Sequence, residues 1–262
     1  MVEQGTETIL VTEETQAKPE TNKSIPRLYG HTLCPYVEKL RMSLAARNVK
    51  YQKCDVDLGK KTPWHLAING GLIPVWETTD GVILTESKVL MDFVEDAYPS
   101  QGYSLLPADP VLRAKMRLGI ALTDAFGSAY FPIYLKKQTN EEEAKPLRAI
   151  IQKMEDFIAQ NGKEGSPFAL GTENPTQVDV HFYAHLVRMQ MMEGSAFHDP
   201  IFVHMKLHEY PRILKLIAGI RARPEFRGVL ANQKPYHEFL QKFSEKPSGE
   251  RVHLFLPCDN DE

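Results

Sequence analysis

Apolar positions along the chain change their period near residue 100. Residues 25–29 form a short apolar run that reads as a strand, broken by Gly30 and Thr32. Val37, Leu40 and Leu44 then fall at i, i+3 and i+7, which predicts a helix from Pro35 to about Asn48. Residues 49–56 read as a second strand. Residues 57–71 carry Gly59, Pro63, Gly70 and Gly71, and read as a loop with at most a helical turn around Trp64. Leu72-Ile73-Pro74-Val75-Trp76-Glu77 reads as strand, Thr78-Thr79-Asp80-Gly81 as a tight turn, and Val82-Ile83-Leu84 as the antiparallel partner. Leu90, Phe93, Val94 and Ala97 predict a helix starting at about Ser87. Pro74 inside an apolar strand requires a strand start, an edge or a bulge, and a cis bond also fits it.

The order is therefore β-α-β followed by β-β-α. A strand–helix–strand unit this short implies a parallel pair joined by a right-handed crossover. Together these elements predict a thioredoxin-like domain, an α/β unit with a mixed four-stranded sheet and helices on its faces, over residues 25–104. Pro99, Gly102, Pro107 and Pro110 mark a linker, and Asp109-Pro110 reads as an N-cap followed by proline at the first helical position. From there the pattern is helical throughout, predicting an all-α bundle over residues 105–240. Leu112 to Leu135 carries one long apolar stripe. Leu147, Ile150, Ile151, Met154 and Ile158 form an amphipathic face, and Ile213, Leu214, Ile217 and Ile220 another; Pro224 opens a short helix. Thr176-Gln177-Val178-Asp179 has capping-box spacing, with Asp in place of Glu. Residues 1–24 have almost no large apolar groups and read as a disordered tail, and residues 241–262 read as an aperiodic extension.

Composition narrows the partners. Net charge is −3 with no basic tract, which argues against nucleic acid and anionic membranes. No apolar run reaches the roughly 18 residues of a membrane helix, and Ile9-Leu10-Val11 is too short for a secretory signal. The 3 cysteines, Cys34, Cys54 and Cys258, are too few for a disulfide framework and point to a reducing, cytoplasmic setting.

One cysteine stands apart. Cys34 sits where a strand ends and a helix begins, facing unpaired N–H groups and the positive end of the helix dipole. That setting favours thiolate, the nucleophilic form. Val37 occupies the place of a second sulfur in a Cys-x-x-Cys pair, so the motif is monothiol and a reductase built on it needs an external thiol. His181/His185 and His204/His208 have i, i+4 zinc spacing, but no carboxylate follows in the metalloprotease pattern and no Cys lies near in sequence, so no metal site is expected. No phosphate loop, serine elbow or Rossmann fingerprint is present.

Thr32-Leu33-Cys34-Pro35-Tyr36, Ile73-Pro74-Val75, Leu84-Thr85-Glu86-Ser87, residues 105–110, Ala169-Leu170-Gly171 and residues 176–179 follow one another in an order and spacing that resembles the cytosolic glutathione transferases, closest to the omega class. The resemblance covers about residues 25–240. It implies Cys34 as the catalytic thiol and glutathione as cosubstrate, with no permanently bound cofactor. It implies that Lys61, Ile73, Val75, Glu86 and Ser87 bind glutathione: Val75 through its backbone, Glu86 and Ser87 at the γ-glutamyl end. Gly70-Gly71 stands where the family more usually has Asn-Pro-x-Gly, and the loop is one residue shorter. Tyr36, Tyr130, His185, Arg188 and Tyr236 are implied to line a polar-aromatic second-substrate pocket between domains. The implied activities are dehydroascorbate reduction and deglutathionylation, on small electrophilic or oxidised substrates and glutathionylated thiols, by a homodimer. Two alternatives stay open: a glutathione-transferase fold that binds without turnover, and a conjugating transferase that activates glutathione through Tyr29.

Overall fold

The computed structural model describes residues 6–13, 15–136, 139–192 and 203–245. The chain forms two compact units. One is built on the residues up to Tyr103 together with Gly228–Ala231, the other on Ser104–Arg227 and Asn232–Glu245. Among the described residues no helix is long and apolar enough to cross a membrane.

The first unit is a mixed five-stranded sheet in the order β1-β3-β2-β4-β5. Its strands are β1 (Thr6–Val11), β2 (Arg27–Gly30), β3 (Gln52–Val56), β4 (Val75–Glu77) and β5 (Ile83–Leu84). β1 and β2 run parallel to β3, while β4 is antiparallel to both β2 and β5. On one face, α1 (Pro35–Ala46) and α3 (Ser87–Ala97) bury Leu40, Leu44, Leu90 and Val94 against Leu28 and Trp76. On the other, Trp64 and Ile68 of α2 (Pro63–Asn69) cover Tyr29, Cys54, Val56 and Val75. Successive residues of β2, Leu28 and Tyr29, thus feed the two cores, as the two-residue strand period requires, while β3 gives Cys54 and Val56 to the second.

The thioredoxin-like expectation is met, with two corrections. The sheet has five strands rather than four, because residues 6–11 of the expected disordered tail form β1. Val11 is buried and Ile9 packs beside it. Polar anchors then hold the following segment: Trp64 Nε1 donates to the Gln16 carbonyl (2.9 Å), and Arg27 donates to the carbonyls of Pro19 (3.1 Å) and Glu20 (2.6 Å). Lys18 and Thr21 both donate to Glu77 Oε1, at 2.5 and 2.8 Å. Burial alone would raise the Glu77 carboxyl, but hydrogen bonds from Lys18, Tyr29 and Thr21 overcome it and hold the group below the usual carboxylate range. Low apolar content did not decide the fate of this segment, because long-range charge supplies the missing contacts.

The second correction is α2, expected as a loop. The Thr62 hydroxyl accepts from the His65 N–H (3.3 Å), Pro63 takes the first helical position, and Gly70 closes the helix in the left-handed region (φ 68°).

The second unit is all-helical among its described elements: α4 (Pro110–Ala121), α5 (Phe126–Lys136), α6 (Glu141–Asn161), α7 (Gln177–Met191), α8 (Pro211–Ala222) and α9 (Gln233–Glu245). Asp109 caps α4 as expected, accepting from the Leu112 N–H (2.7 Å). The long stripe from Leu112 to Leu135 is two helices rather than one. Leu122 and Thr123 turn to i−3 bonds with Gly119 and Ile120, and the Thr123 hydroxyl takes the Ile120 carbonyl (2.7 Å). Pro224 opens only a 3-10 turn, Pro224–Phe226, and α9 extends beyond the point where sequence periodicity fades. The rest of the expected C-terminal extension, with Cys258, lies outside the described residues.

α7 is buried along almost its whole length. Its capping box is formed as the sequence spacing predicts, but Asp179 reaches further: its carboxylate accepts from the backbone of Ala169 (2.6 Å) and Thr176 (2.7 Å) and from the Thr176 hydroxyl (2.8 Å). Burial pushes the Asp179 pKa up to about 6 against those bonds. A group whose folded pKa is raised contributes most below its unfolded pKa, and that contribution is lost as pH rises from about 4 to about 6. Asp179→Ala should lower the unfolding free energy at pH 7 by about 2–4 kcal/mol, measured by urea denaturation, by leaving two buried N–H groups unsatisfied. The slope in stability between about pH 4 and 6 should flatten in the variant.

Candidate active site

The site begins with the direction of three strands. β2 and β3 are parallel and end on the same side, where Gly30 leads to Cys34 and Val56 leads toward Lys61. β4 is antiparallel to β2, so it begins on that side, with Val75 opposite Tyr29. β5 is antiparallel to β4 and ends there, with Leu84 opposite Trp76, and Glu86-Ser87 follow at once. One end of one sheet therefore collects Cys34, Ile73, Val75, Glu86, Ser87 and the approach to Lys61. Cys34, Ile73 and Leu84 also pack, partly buried, against the same core cluster.

Cys34 is the N-cap of α1, with extended backbone (φ −74°, ψ 126°) and Pro35 at the first helical position. Its N–H donates to the His31 carbonyl (3.0 Å) and its carbonyl accepts from the Glu38 N–H (2.9 Å). The side chain is half-buried, at the end of the helix where first-turn N–H groups have no intrahelical acceptor. Burial lifts the Tyr36 phenol above its ordinary pKa, and the negative charge of Cys34 adds to the shift, so the two groups sense each other. The turn approaches α1 closely: a Cβ on Gly30 would stand 2.7 Å from Val37 Cγ1.

The other sequence-predicted groups are placed as follows. The Ile73–Pro74 bond is cis, one of the options the sequence allowed. The Val75 side chain is wholly buried, so only its backbone is left to meet a ligand. The registered β4–β5 ladder covers Trp76 and Glu77, leaving Val75 at its end. Glu86 is exposed and holds φ 68°, ψ 108°, a backbone region that disfavours residues with a side chain and that surrounding structure must enforce. Ser87 is buried at the first position of α3, where its hydroxyl and the first-turn N–H groups suit a carboxylate. Lys61 is half-buried, and its stem runs over Gly71, whose Cβ would stand 2.6 Å from Lys61 Cδ. The Gly70-Gly71 departure therefore makes room for this lysine.

Tyr29 is corrected as an alternative activating hydroxyl. It is fully buried on the α2 side of the sheet, donates to Glu77 Oε2 (2.7 Å) and accepts from Arg27 Nη1 (2.9 Å). Burial drives its pKa above the ordinary phenol value, further from the phenolate an activator would use.

In the helical unit, Phe126 stacks on Tyr130 (centroids 5.6 Å) and lies 4.7 Å from the His185 ring. Arg188 is one turn beyond His185 and donates to the Ala184 carbonyl (2.5 Å). Tyr236 is buried on α9. Tyr36 belongs to the first unit. His181 faces the Thr123 hydroxyl (3.5 Å), and among the described residues no three His, Cys, Asp or Glu side chains gather as a metal site.

Sequence reasoning missed the groups beneath the Cys34 turn. Lys53 Nζ donates to Thr32 Oγ1 (2.9 Å) and pairs with Asp55 Oδ2 (3.0 Å). The Leu33 N–H donates to His31 Nδ1 (3.3 Å), and burial lowers the His31 pKa, against the opposing pull of Asp55 and Asp57. The available signal was a charged pair at i, i+2 inside a strand of a β-α-β unit.

A thioredoxin-like domain presenting an N-cap cysteine, followed in sequence by a helical bundle, is the architecture of glutathione transferases. Residues 28–102 match the glutathione S-transferase N-terminal domain. The chain is 23% identical over 223 residues to glutathione S-transferase omega-1 of Mus musculus, covering 83% of this chain and 85% of that protein. It is 32% identical over 97 residues to human glutathione S-transferase omega-2, covering 37% and 39%. Glutathione transferase Omega 1C from Trametes versicolor shares the fold at a TM-score of 0.68, with 20% identity over 84% of this chain and 97% of that one. Residues 28–102 thus match a glutathione S-transferase N-terminal domain, and omega-class glutathione transferases are among the proteins the chain is similar to.

Tyr29→Phe tests the correction. It should cost about 1–3 kcal/mol of stability, because Glu77 loses a buried donor, while glutathione-dependent turnover per folded molecule stays at the wild-type level. Urea denaturation and steady-state kinetics on the same preparation measure both.

Proposed function

We propose that the chain is a glutathione-dependent thiol transferase of omega type acting through Cys34. The observation that carries this reading is the collection of an N-cap cysteine, the Val75 backbone and the Glu86-Ser87 helix start at one end of the sheet, with buried Val37 where a second sulfur would stand. A tripeptide thiol laid along the free end of β4 takes main-chain hydrogen bonds from Val75. Its γ-glutamyl carboxylate meets the start of α3, its ammonium group pairs with Glu86, and Lys61 reaches the site from the loop.

The chemistry runs in two exchanges. The Cys34 thiolate attacks the glutathione sulfur of a glutathionylated thiol. A Cys34–glutathione disulfide forms, and the substrate leaves as thiolate to be protonated. A second glutathione thiolate then attacks the glutathione sulfur of that disulfide, releasing Cys34 thiolate and oxidised glutathione. With dehydroascorbate as oxidant, the same two thiols supply the two electrons. The protein is assigned to a reducing cytoplasmic setting, and the active form to a homodimer.

Intact mass after treatment with oxidised glutathione should show one glutathione adduct that disappears in Cys34→Ala. Thiol-transferase turnover should fall at least about 100-fold in the same variant. Cys54 should stay unmodified, since burial pushes its pKa up to about 12. An adduct and full turnover in Cys34→Ala would sink the proposal. Adduct formation without turnover in the wild type would favour the binding-only alternative.

A further inference from the structure

We propose that Lys53 is a positioning residue for Cys34, acting through the Thr32 hydroxyl. The proposal rests on the reading that Cys34 is the reacting thiol. Lys53 and Asp55 stand opposite Leu28 and Gly30 of β2, so they share the sheet face that carries α1. Both are more buried than charges on an open surface: their side chains are 15% and 25% exposed. An ion pair between them satisfies Asp55 Oδ2 by itself. The ammonium goes further and donates to Thr32 Oγ1 at 2.9 Å, two residues before Cys34.

Thr32 is thereby held from two sides. The sheet grips its hydroxyl through Lys53, and α1 grips its carbonyl through the buried Arg41, whose Nη1 lies at 3.5 Å. Within the turn, His31 accepts the N–H of Leu33 at Nδ1 and the N–H of Cys34 at its carbonyl. Each residue of 31–34 thus has a fixed partner, and the turn enters α1 in one arrangement. Ordering a lysine side chain costs conformational entropy, and here two polar partners, Asp55 and Thr32, hold it. The charged and titratable groups about this turn are His31, Tyr36, Arg41, Lys53, Asp55 and Asp57. Arg41 meets the Thr32 carbonyl from α1, and Lys53 is the cation that pairs with Asp55 and reaches the Thr32 hydroxyl. Removing its charge leaves the Asp55 carboxylate, opposite Gly30 where the turn begins, without this paired cation.

The test is iodoacetamide alkylation of Cys34 followed by mass spectrometry as a function of pH, with turnover measured in parallel. Lys53→Met should slow alkylation at pH 7 by about tenfold and move its pH midpoint upward. Lys53→Arg should restore most of the rate. Thr32→Val, which removes the hydroxyl and no charge, should slow alkylation with little change in midpoint. In each impaired variant kcat should fall while KM for glutathione stays within about twofold. Wild-type rate and midpoint in Lys53→Met would overturn the proposal. So would impairment in Lys53→Met with none in Thr32→Val, because the charge would then act without Thr32. If Lys53→Met does not fold, Thr32→Val decides alone. Alkylation needs no disulfide exchange, so the failure of Cys34→Ala to abolish thiol transfer would overturn the proposed function without producing any of these outcomes.

Discussion

The first unit depends on one buried ion pair. Arg27 and Glu77 are partners across the β2–β4 ladder, and both are almost fully removed from solvent. A buried pair of this kind is stabilising only when its remaining hydrogen-bond positions are filled. Here they are. Arg27 also reaches Gln52, Tyr29 and the carbonyls of Pro19 and Glu20, while Glu77 also accepts from Lys18, Thr21 and Tyr29. The pair ties together β2, β3, β4 and the segment after β1. It sits at the end of the sheet opposite Cys34. Locking strand register at one end fixes which residues emerge at the other, because a slip of one residue would turn every side chain to the wrong face.

That constraint explains how separate motifs form one site. Cys34, Val75 and the Glu86-Ser87 pair are separated from one another along the sequence. They meet because β2 and β3 end, β4 begins and β5 ends on one side of the sheet. The candidate groups then lie on irregular backbone at that edge: an N-cap, the residue after a cis peptide, and a residue at positive φ. A rigid sheet with functional turns at its rim is the usual division of labour between scaffold and site.

Legibility in the sequence followed the range of the interactions. Where a signal and its structural consequence lie within a few residues, the reading held. Cys34-Pro35 gives a helix start, Asp109-Pro110 a cap, Thr176 to Asp179 a capping box, and Pro74 in an apolar strand a cis bond. The misses have another cause. Residues 1–24 have almost no large apolar groups and read as disordered, but Lys18 and Thr21 find Glu77 more than fifty residues away, and Gln16 finds Trp64. Lys53 reads as an ordinary strand residue because its partner Thr32 lies on the preceding turn, 21 positions back. The α2 helix is a different failure. Its Thr62 cap and Gly70 stop were visible, but the weight given to Gly and Pro as breakers outweighed them.

Val37 joins the scaffold to the chemistry. It occupies the position where a dithiol motif would hold its resolving cysteine, and it is buried. Its branched side chain fills the space that Gly30 leaves open, to the point that a single methyl on Gly30 would collide with both Val37 methyl groups. The residue is thus committed to the contact that seats α1, with Cys34 at its N-cap, on the end of β2. Under the proposed mechanism the same packing has a chemical consequence. A sulfur at position 37 would be held in the core, away from the open edge of the site. The resolving thiol must then approach from the side where Val75 and the start of α3 present their backbone groups, which is the side suited to hold a peptide thiol.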